Sequence, residues 1–425
     1  MLEIMQHISK EFSEDSVYIL GICPEVSEKE LKGLIKANKI TFPVVLEKKK
    51  VLSSNYLITT YPTVFLVDSD GIIRQIYTGY FPDIINRIER DIHSQMSKSE
   101  SAYLTEDTKA DLQEEWNILV KISDMAISDA ITTLTITGDL LKLSEQGTQK
   151  GMIKTGSELR RFEECSLDED VESEYVLWSK SGREILCIDN NGKKLWDKAV
   201  VTGINELVAS DIAGTGVARI IAGLSGCKGI AVMDGNGKEV WSTTEIVNAL
   251  GINALDIDGD GFEEILAFSN DENLYIFSKD GELKKVFNSN MSIDFMTSAV
   301  LHNSKPAILI SGSSKDSEII KLLDVNGSVK WEIILGDALS SRIIDAKIDP
   351  VKDLIATLTS DGRLVVFDTA GNVNIQQTGI SGSVALVDWL VDEKGQSYLI
   401  LADTKNGISK YLLLEDSDVL IDDSK

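Results

Sequence analysis

The strongest chemical pattern in the chain is Asp256-Ile-Asp258-Gly-Asp260-Gly-Phe262-Glu-Glu264. Carboxylates at positions 1, 3, 5 and 9, with a glycine at 6, have the spacing of a calcium loop. Calcium takes six to eight hard oxygen ligands, and alternate residues of a tight turn aim their side chains inward. Asp256, Asp258 and Asp260 would each give a side-chain oxygen, Phe262 its backbone carbonyl, and Glu264 would close the shell. Four carboxylates this close repel one another unless a cation lies between them. The bland alternative is a solvated acidic turn. The closing Glu at 9 rather than 12, and strand-like rather than helical flanks, exclude an EF-hand. A weaker copy precedes it, where Ser166, Asp168, Asp170 and Glu174 keep the spacing and form a possible second metal site. Between the two, Asp211-Ile-Ala-Gly-Thr215-Gly-Val-Ala-Arg219 keeps the turn but loses two carboxylates. Arg219 takes the place of the closing Glu, where its charge could replace the ion.

Other chemistry is sparse. The four cysteines, Cys23, Cys165, Cys187 and Cys227, form no CxxC and show no zinc spacing with His7, His93 or His302. Buried free thiols are expected, although a Cys187–Cys227 bridge stays open. Cys23 follows an apolar run and is the one candidate thiol nucleophile, against the reading of an inert strand-end cysteine. No phosphate-cradling or dinucleotide fingerprint is present, so no nucleotide cofactor is expected.

Composition narrows the partners. The formal charge is −26 over 425 residues. Residues 1–97 hold 11 Lys/Arg against 13 Asp/Glu, so almost all of the excess lies beyond them. So acidic a surface repels phosphate backbones, which argues against nucleic acid and for cations, basic partners or plain solubility. No apolar run approaches 18 residues, so no membrane span is expected. The opening MLEIMQHISKEF lacks the apolar stretch of a signal peptide. Localisation is left open: a calcium loop suits an extracytoplasmic setting, which would require an N-terminus beyond Met1.

The calcium-type loop belongs to a unit that repeats. Its turn glycine Gly281 has counterparts at Gly192, Gly237, Gly327 and Gly371, in steps of 44 to 46 residues. Stepping outward lands on Gly147 and Asp416, giving seven registers. Each holds short period-2 runs separated by turn residues, as expected for four-stranded propeller blades. The first blade would begin with WNILVKISD, and the last would end with DVLID. Trp196, Trp241 and Trp331 each lie four residues after a turn glycine. They are expected as packing wedges between blades rather than a ligand stack, because aromatic rings bury large areas.

The spelling Asp-x-x-Gly-Lys-x-x-Trp at Asp189–Trp196 and Asp234–Trp241 resembles quinoprotein-type repeats. Members of that group that bind a quinone use adjacent cysteines and eight blades. This chain has neither, so no quinone is expected. The acidic loop between the first two strands of a blade resembles the FG-GAP repeat, which implies calcium.

Residues 1–97 read differently. Helical spacing at the start, the strand VYILGI (17–22), a helix from Ser27 to Asn38, a short helix over 48–58, the strand PTVFLV (62–67), a hairpin at Asp70-Gly71 and a helix over 81–96 make an α/β layer. Ser27 with Glu30 three residues later is a capping-box signal. The succession VYILGIC, TFPVV, Tyr61-Pro62-Thr63-VFLVDSDG and Tyr77-Thr-Gly79 resembles the redoxins, thioredoxin-like thiol–disulfide oxidoreductases. The resemblance implies a cis Pro62 beside the redox cysteines, and it implies a CxxC upstream, for which this chain offers no place. Two explanations follow: a retired redox domain, or a sequence that lacks its N-terminal piece.

The expected architecture is therefore an incomplete thioredoxin-like domain (1–97), a linker (98–115), in which a strand that helps close the ring is one reading, and a seven-bladed β-propeller (116–425). The expected function is a non-catalytic binding or scaffold protein whose propeller is calcium-stabilised and takes a protein or peptide on one face. The alternative is a disulfide oxidoreductase with its CxxC upstream and the propeller as substrate selector.

Overall fold

A computed structural model describes residues 2–12, 17–24, 26–47, 61–67, 73–78 and 112–413, with isolated residues near 58 and 84–92. Within 112–413 it omits 129, 171, 302–304, 315–316, 338–340, 350, 378–383 and 404–406. The expected helix over 48–58, His93, His302 and residues 418–422 lie outside the described residues.

The N-terminal unit begins with helix α1 (Leu2–Glu11). Strand β1 (Gly21–Pro24) pairs in parallel with β2 (Val44–Glu47), putting Cys23 opposite Leu46. The paired part of the first strand thus lies later than the expected 17–22, because β2 reaches only as far as Gly21. Helix α2 (Glu28–Ala37) starts at a full capping box: the Glu30 amide donates to the Ser27 hydroxyl, and the Ser27 amide donates to the Glu30 carboxylate. The Tyr61–Pro62 peptide is cis and leads into β3 (Thr63–Val67), antiparallel to β4 (Ile73–Thr78). Ile4, Ile8 and Phe12 of the first helix pack with Tyr77, Ile84, Ile88 and Ile92 in one core.

The rest is a ring of seven four-stranded antiparallel sheets. The innermost strands, beginning with Ile122–Ile127 and ending with Val384–Val391, contact one another in sequence, and the last contacts the first. Strand β5 (Leu112–Ile118) closes the ring. It pairs with Gly407–Leu413 as the outermost strand of blade seven. This corrects two expectations: Trp116-Asn117-Ile118 belongs to the last blade rather than the first, and the place expected for DVLID is held by β5. The end of the 98–115 stretch supplies the start of this closing strand, in line with the reading of a linker that includes one. Blade two also has an innermost strand, Arg161–Cys165, that the repeat pattern left unassigned.

Antiparallel order gives the ring two distinct ends. The loops joining first to second strands, and the turns joining third to fourth, share one end. The connections between blades and the second-to-third turns share the other. At five of the seven seams an aromatic side chain lies over the next blade's turn glycine; at Gly192 the aliphatic Ile153 takes that place. The Trp196 indole donates to Gly235 O at 2.8 Å and covers Gly237. Trp241 donates to Lys279 O at 2.8 Å over Gly281, and Trp331 to Thr369 O at 3.1 Å over Gly371. Trp116 does the same at Gly147, and Phe287 covers Gly327. A β-carbon at Gly281 would stand 2.8 Å from the Trp241 ring, and its φ of +86° is itself glycine territory. The turn glycines recur because the wedge needs them.

Candidate functional site

The loop between the first and second strands of blade four (Gly251–Leu255 and Glu264–Phe268) gathers Asp256, Asp258 and Asp260. Their carboxylate oxygens lie within 4.8 Å of one another. Backbone amides hold each carboxylate. Gly259 N and Gly261 N donate to Asp256, Asp260 N to Asp258, and Phe262 N to Asp260. Gly259 and Gly261 supply the positive φ that lets the loop double back. Phe262 lies under the Lys279 ammonium, 3.2 Å from its ring centroid. Its loop also packs against blade three, where a β-carbon on Gly214 would meet Gly261 O at 2.8 Å.

Glu264 is not in that cluster. Its side chain is buried, accepts from Ile257 N at 3.2 Å, and pairs with Lys284 Nζ at 2.6 Å. Lys284 also reaches Asp258 at 3.3 Å. It sits at the bulge in the outermost strand (Leu283–Asn288), where the register skips one residue and turns the side chain back over the loop. Its hydrogen bond to Glu264 holds the ammonium above the usual lysine range. Four of the five expected ligand residues thus share one loop, and the fifth is engaged by an internal cation.

Blade two repeats the arrangement without that cation. Asp168, Asp170 and Glu174 place carboxylate oxygens within 4.8 Å of one another. Glu174 accepts from Leu167 N at 2.7 Å, as Glu264 does from Ile257 N. Ser166 points elsewhere, donating to Asp168 O at 3.1 Å. Burial, the largest cause, raises the Glu174 carboxyl above its ordinary value, with Asp168 and Asp170 adding to the rise. In blade three the Asp211 carboxylate is consumed by Thr215 N, the Thr215 hydroxyl and Gly216 N. Arg219 opens the second strand there and makes no ion pair among the described residues, whereas blade four has an internal cation in Lys284.

The thiols are free. Burial pushes the Cys187 thiol up to about 12 and the Cys165 thiol higher still, the opposite of what a nucleophilic cysteine needs. Cys23 is half-buried in β1. His7 pairs with Glu89 at 3.2 Å. No described helix is long and apolar enough to cross a membrane.

A third cluster escaped the repeat pattern. The innermost strands turn Asp124, Arg161, Glu163, Glu206, Asp345 and Asp388 into the central channel, with Lys347 among them. Asp124 pairs with Arg161 at 3.3 Å and accepts from Phe162 N of the next blade. Asp345 accepts from Val387 N across another seam. Burial pushes Glu163 up to about 8 and Asp345 to about 6. The only sequence signal was a polar residue inside otherwise apolar innermost strands.

Residues 1–76 match the AhpC/TSA family. The N-terminal unit is a thioredoxin-like redoxin domain. Two relatives from Bacillus subtilis (strain 168) agree. Thioredoxin-like protein YneN is 28% identical over 78 residues, covering 18% of this chain and 45% of the relative. Sporulation thiol-disulfide oxidoreductase A is 42% identical over 55 residues, covering 13% and 33%. The chain therefore spans less than half the length of either. The ring is a seven-bladed propeller by shape as well. The β-propeller domain of Cps50 (Swd1) from Myceliophteria thermophila superposes with a TM-score of 0.56 at 10% identity, covering 71% of this chain and all of that one. BBS1N, solved with ARL6DN, superposes at 0.55 and 10% identity, covering 72% and 98%. At such identities the likeness is one of fold alone.

Proposed function

We propose that this protein is a non-catalytic binding platform: a propeller held rigid by calcium at the blade-four loop, taking a protein or peptide partner, joined to a redoxin domain that serves no turnover in this chain. The observation that carries the reading is the convergence of Asp256, Asp258 and Asp260 within 4.8 Å, on a loop of hard oxygens with Glu264 beneath it. This donor set of hard oxygens suits a cation such as calcium. Asp168, Asp170 and Glu174 form a second, smaller set, and the blade-four loop resembles that of the FG-GAP repeat. Bound calcium would take oxygens from the three aspartates and the Phe262 carbonyl, and would compete with Lys284 for Asp258 and Glu264. Extracellular modules of this kind bind calcium at about 0.1–1 mM, so an extracytoplasmic setting suits it. Isothermal titration with calcium, before and after Asp258→Ala, tests this. Heat of binding that the substitution abolishes supports the reading, and its absence in the native chain refutes it.

A second reading rests on the match of residues 1–76 and on the activity named for one relative. In it the protein is a thiol–disulfide oxidoreductase, with a CxxC preceding Met1 and the propeller choosing substrates. Reduction of insulin disulfides by the present chain, lost on Cys23→Ser, would defeat the binding-only reading; reduction only by a chain extended to include an upstream CxxC, lost when those cysteines become Ser, would favour the oxidoreductase.

A further inference from the structure

The run that leads into β1 has apolar side chains on both faces and no strand beside it. Val17 and Ile19 pack on the core of Ile4, Ile8 and Tyr77. Tyr18, Leu20 and Ile22 alternate with them, as a strand's period of two requires, and are 72%, 49% and 42% exposed. Val45, paired across β2 with Ile22, is exposed beside them. Strand β2 flanks β1 on one edge and reaches no further back than Gly21. Among the described residues no strand lies on the other edge, and residues 17–20 make no backbone hydrogen bond.

Free sheet edges are ordinarily blunted by charge or proline, because their unpaired amides and carbonyls accept any strand that approaches. The ring follows that rule. The outermost strands of blades one to five carry Lys150, Lys198, Glu239, Lys285 and Lys330 in turn, that of blade seven carries Glu114, and that of blade six (Val373–Gln377) is rich in amides. Residues 17–23, VYILGIC, hold neither charge nor proline. The unit around them does not hold a second copy off either. Residues 1–97 carry 11 Lys/Arg against 13 Asp/Glu, while the rest of the chain carries nearly all of the net −26. Two propellers repel each other, and two N-terminal units do not.

We propose that this edge is where two copies of the chain pair, as antiparallel strands related by a two-fold axis at Leu20. The symmetry makes the contact self-complementary. Leu20 meets its own counterpart, and Tyr18 lies opposite Ile22 of the second copy. An aromatic ring beside a β-branched side chain is a favourable cross-strand pair. The added strand supplies the backbone partners that residues 17–20 lack, and the three exposed side chains of each copy cover those of the other. So short an edge buries less than the about 800 Å² per partner of a standard interface, so the dimer forms only as concentration rises. This inference goes beyond the binding-platform reading and does not depend on calcium.

The test is sedimentation equilibrium of the full chain, from about 1 to about 100 µM, where a monomer–dimer equilibrium is expected. Leu20→Lys sets like charges face to face at the axis and should weaken the dimer by roughly tenfold or more. Val201→Lys, on the ring, should leave it unchanged. Both side chains are exposed, and circular dichroism checks that both variants fold. Added salt should strengthen the dimer, because it screens the acidic propellers from each other. With the exposed Cys227 replaced by Ser, Leu20→Cys should cross-link to a dimer under oxidised glutathione, and peptide mapping should find the two introduced thiols joined. A chain that stays monomeric throughout overturns the proposal. So does a dimer that Val201→Lys dissolves and Leu20→Lys does not, or one that salt weakens. A monomeric chain that binds a labelled Val-Tyr-Ile-Leu-Gly-Ile peptide also overturns it, since the occupant would then be another protein's strand.

Discussion

Blade two and blade four carry the same loop in two electrostatic states. In both, a buried glutamate opens the second strand and accepts a hydrogen bond from the amide of the loop's second residue. In both, the outermost strand bulges three residues after the turn glycine. Blade four places Lys284 at that bulge, and blade two places Leu195, half-exposed and inert. Glu264 therefore rests against an ammonium, while burial leaves Glu174 holding its proton more tightly. A single residue in the fourth strand decides whether the buried glutamate of a carboxylate loop meets an internal ammonium or none.

Four experiments probe that contrast. The largest effect is expected from Trp241→Ala. The indole anchors the turn that carries Lys279 and leads to Lys284, and removing a packed Trp costs about 3 kcal/mol or more. Chemical denaturation should show that loss, together with greater calcium dependence as Lys284 loses its place. Next comes chelation. If calcium saturates the loop a hundredfold above its Kd, removing it costs about 2.7 kcal/mol. The melting temperature should fall in EDTA, and Asp256→Ala should abolish the difference. An equal fall in both chains would end the idea that this loop holds the ion.

Lys284→Met should destabilise the chelated protein by about 1 kcal/mol, because Glu264 stays buried without its partner. The figure is kept low because Lys284 is 36% exposed. Calcium should then stabilise the variant more than the native chain, and Leu195→Lys should produce the mirror-image shift in blade two. The smallest effect is on pH. Glu174 and Glu163 both have raised pKa values, so each contributes stability that is complete below the unfolded value of 4.5 and is lost as pH rises through the folded value, about 8 for Glu163. In chelator, the melting temperature should decline between about pH 5 and pH 9. Glu174→Gln should flatten the decline, and a rise with pH would contradict the assignment.

What could be read from sequence was what local chemistry dictates. The Asp-x-x-Gly turns, the glycines beneath the tryptophans and the carboxylate spacing are all decided within about ten residues, so seven blades and one acidic loop were visible at once. What depended on distant pairing was not. Strand β5 finds its partner almost three hundred residues away, as the Asn117–Ser409 side-chain bond shows, and no repeat spacing announces it. Glu264 has the spacing of a ligand, yet its immediate partner is Lys284, brought over by a bulge two strands on. The channel charges were hidden for a similar reason: only ring closure brings Arg161, Asp345 and Lys347 within reach of one another.

Ring closure by β5 has a mechanical side. Leu112, where the chain from the redoxin domain enters the ring, lies directly opposite Leu413. Tension between these two points would load the antiparallel pair at its end, so its hydrogen bonds would break in succession like a zipper instead of sharing the force. The disc would be stiff against compression and against tugging on any single blade, yet could be unfastened by a modest pull on the tether between its two halves.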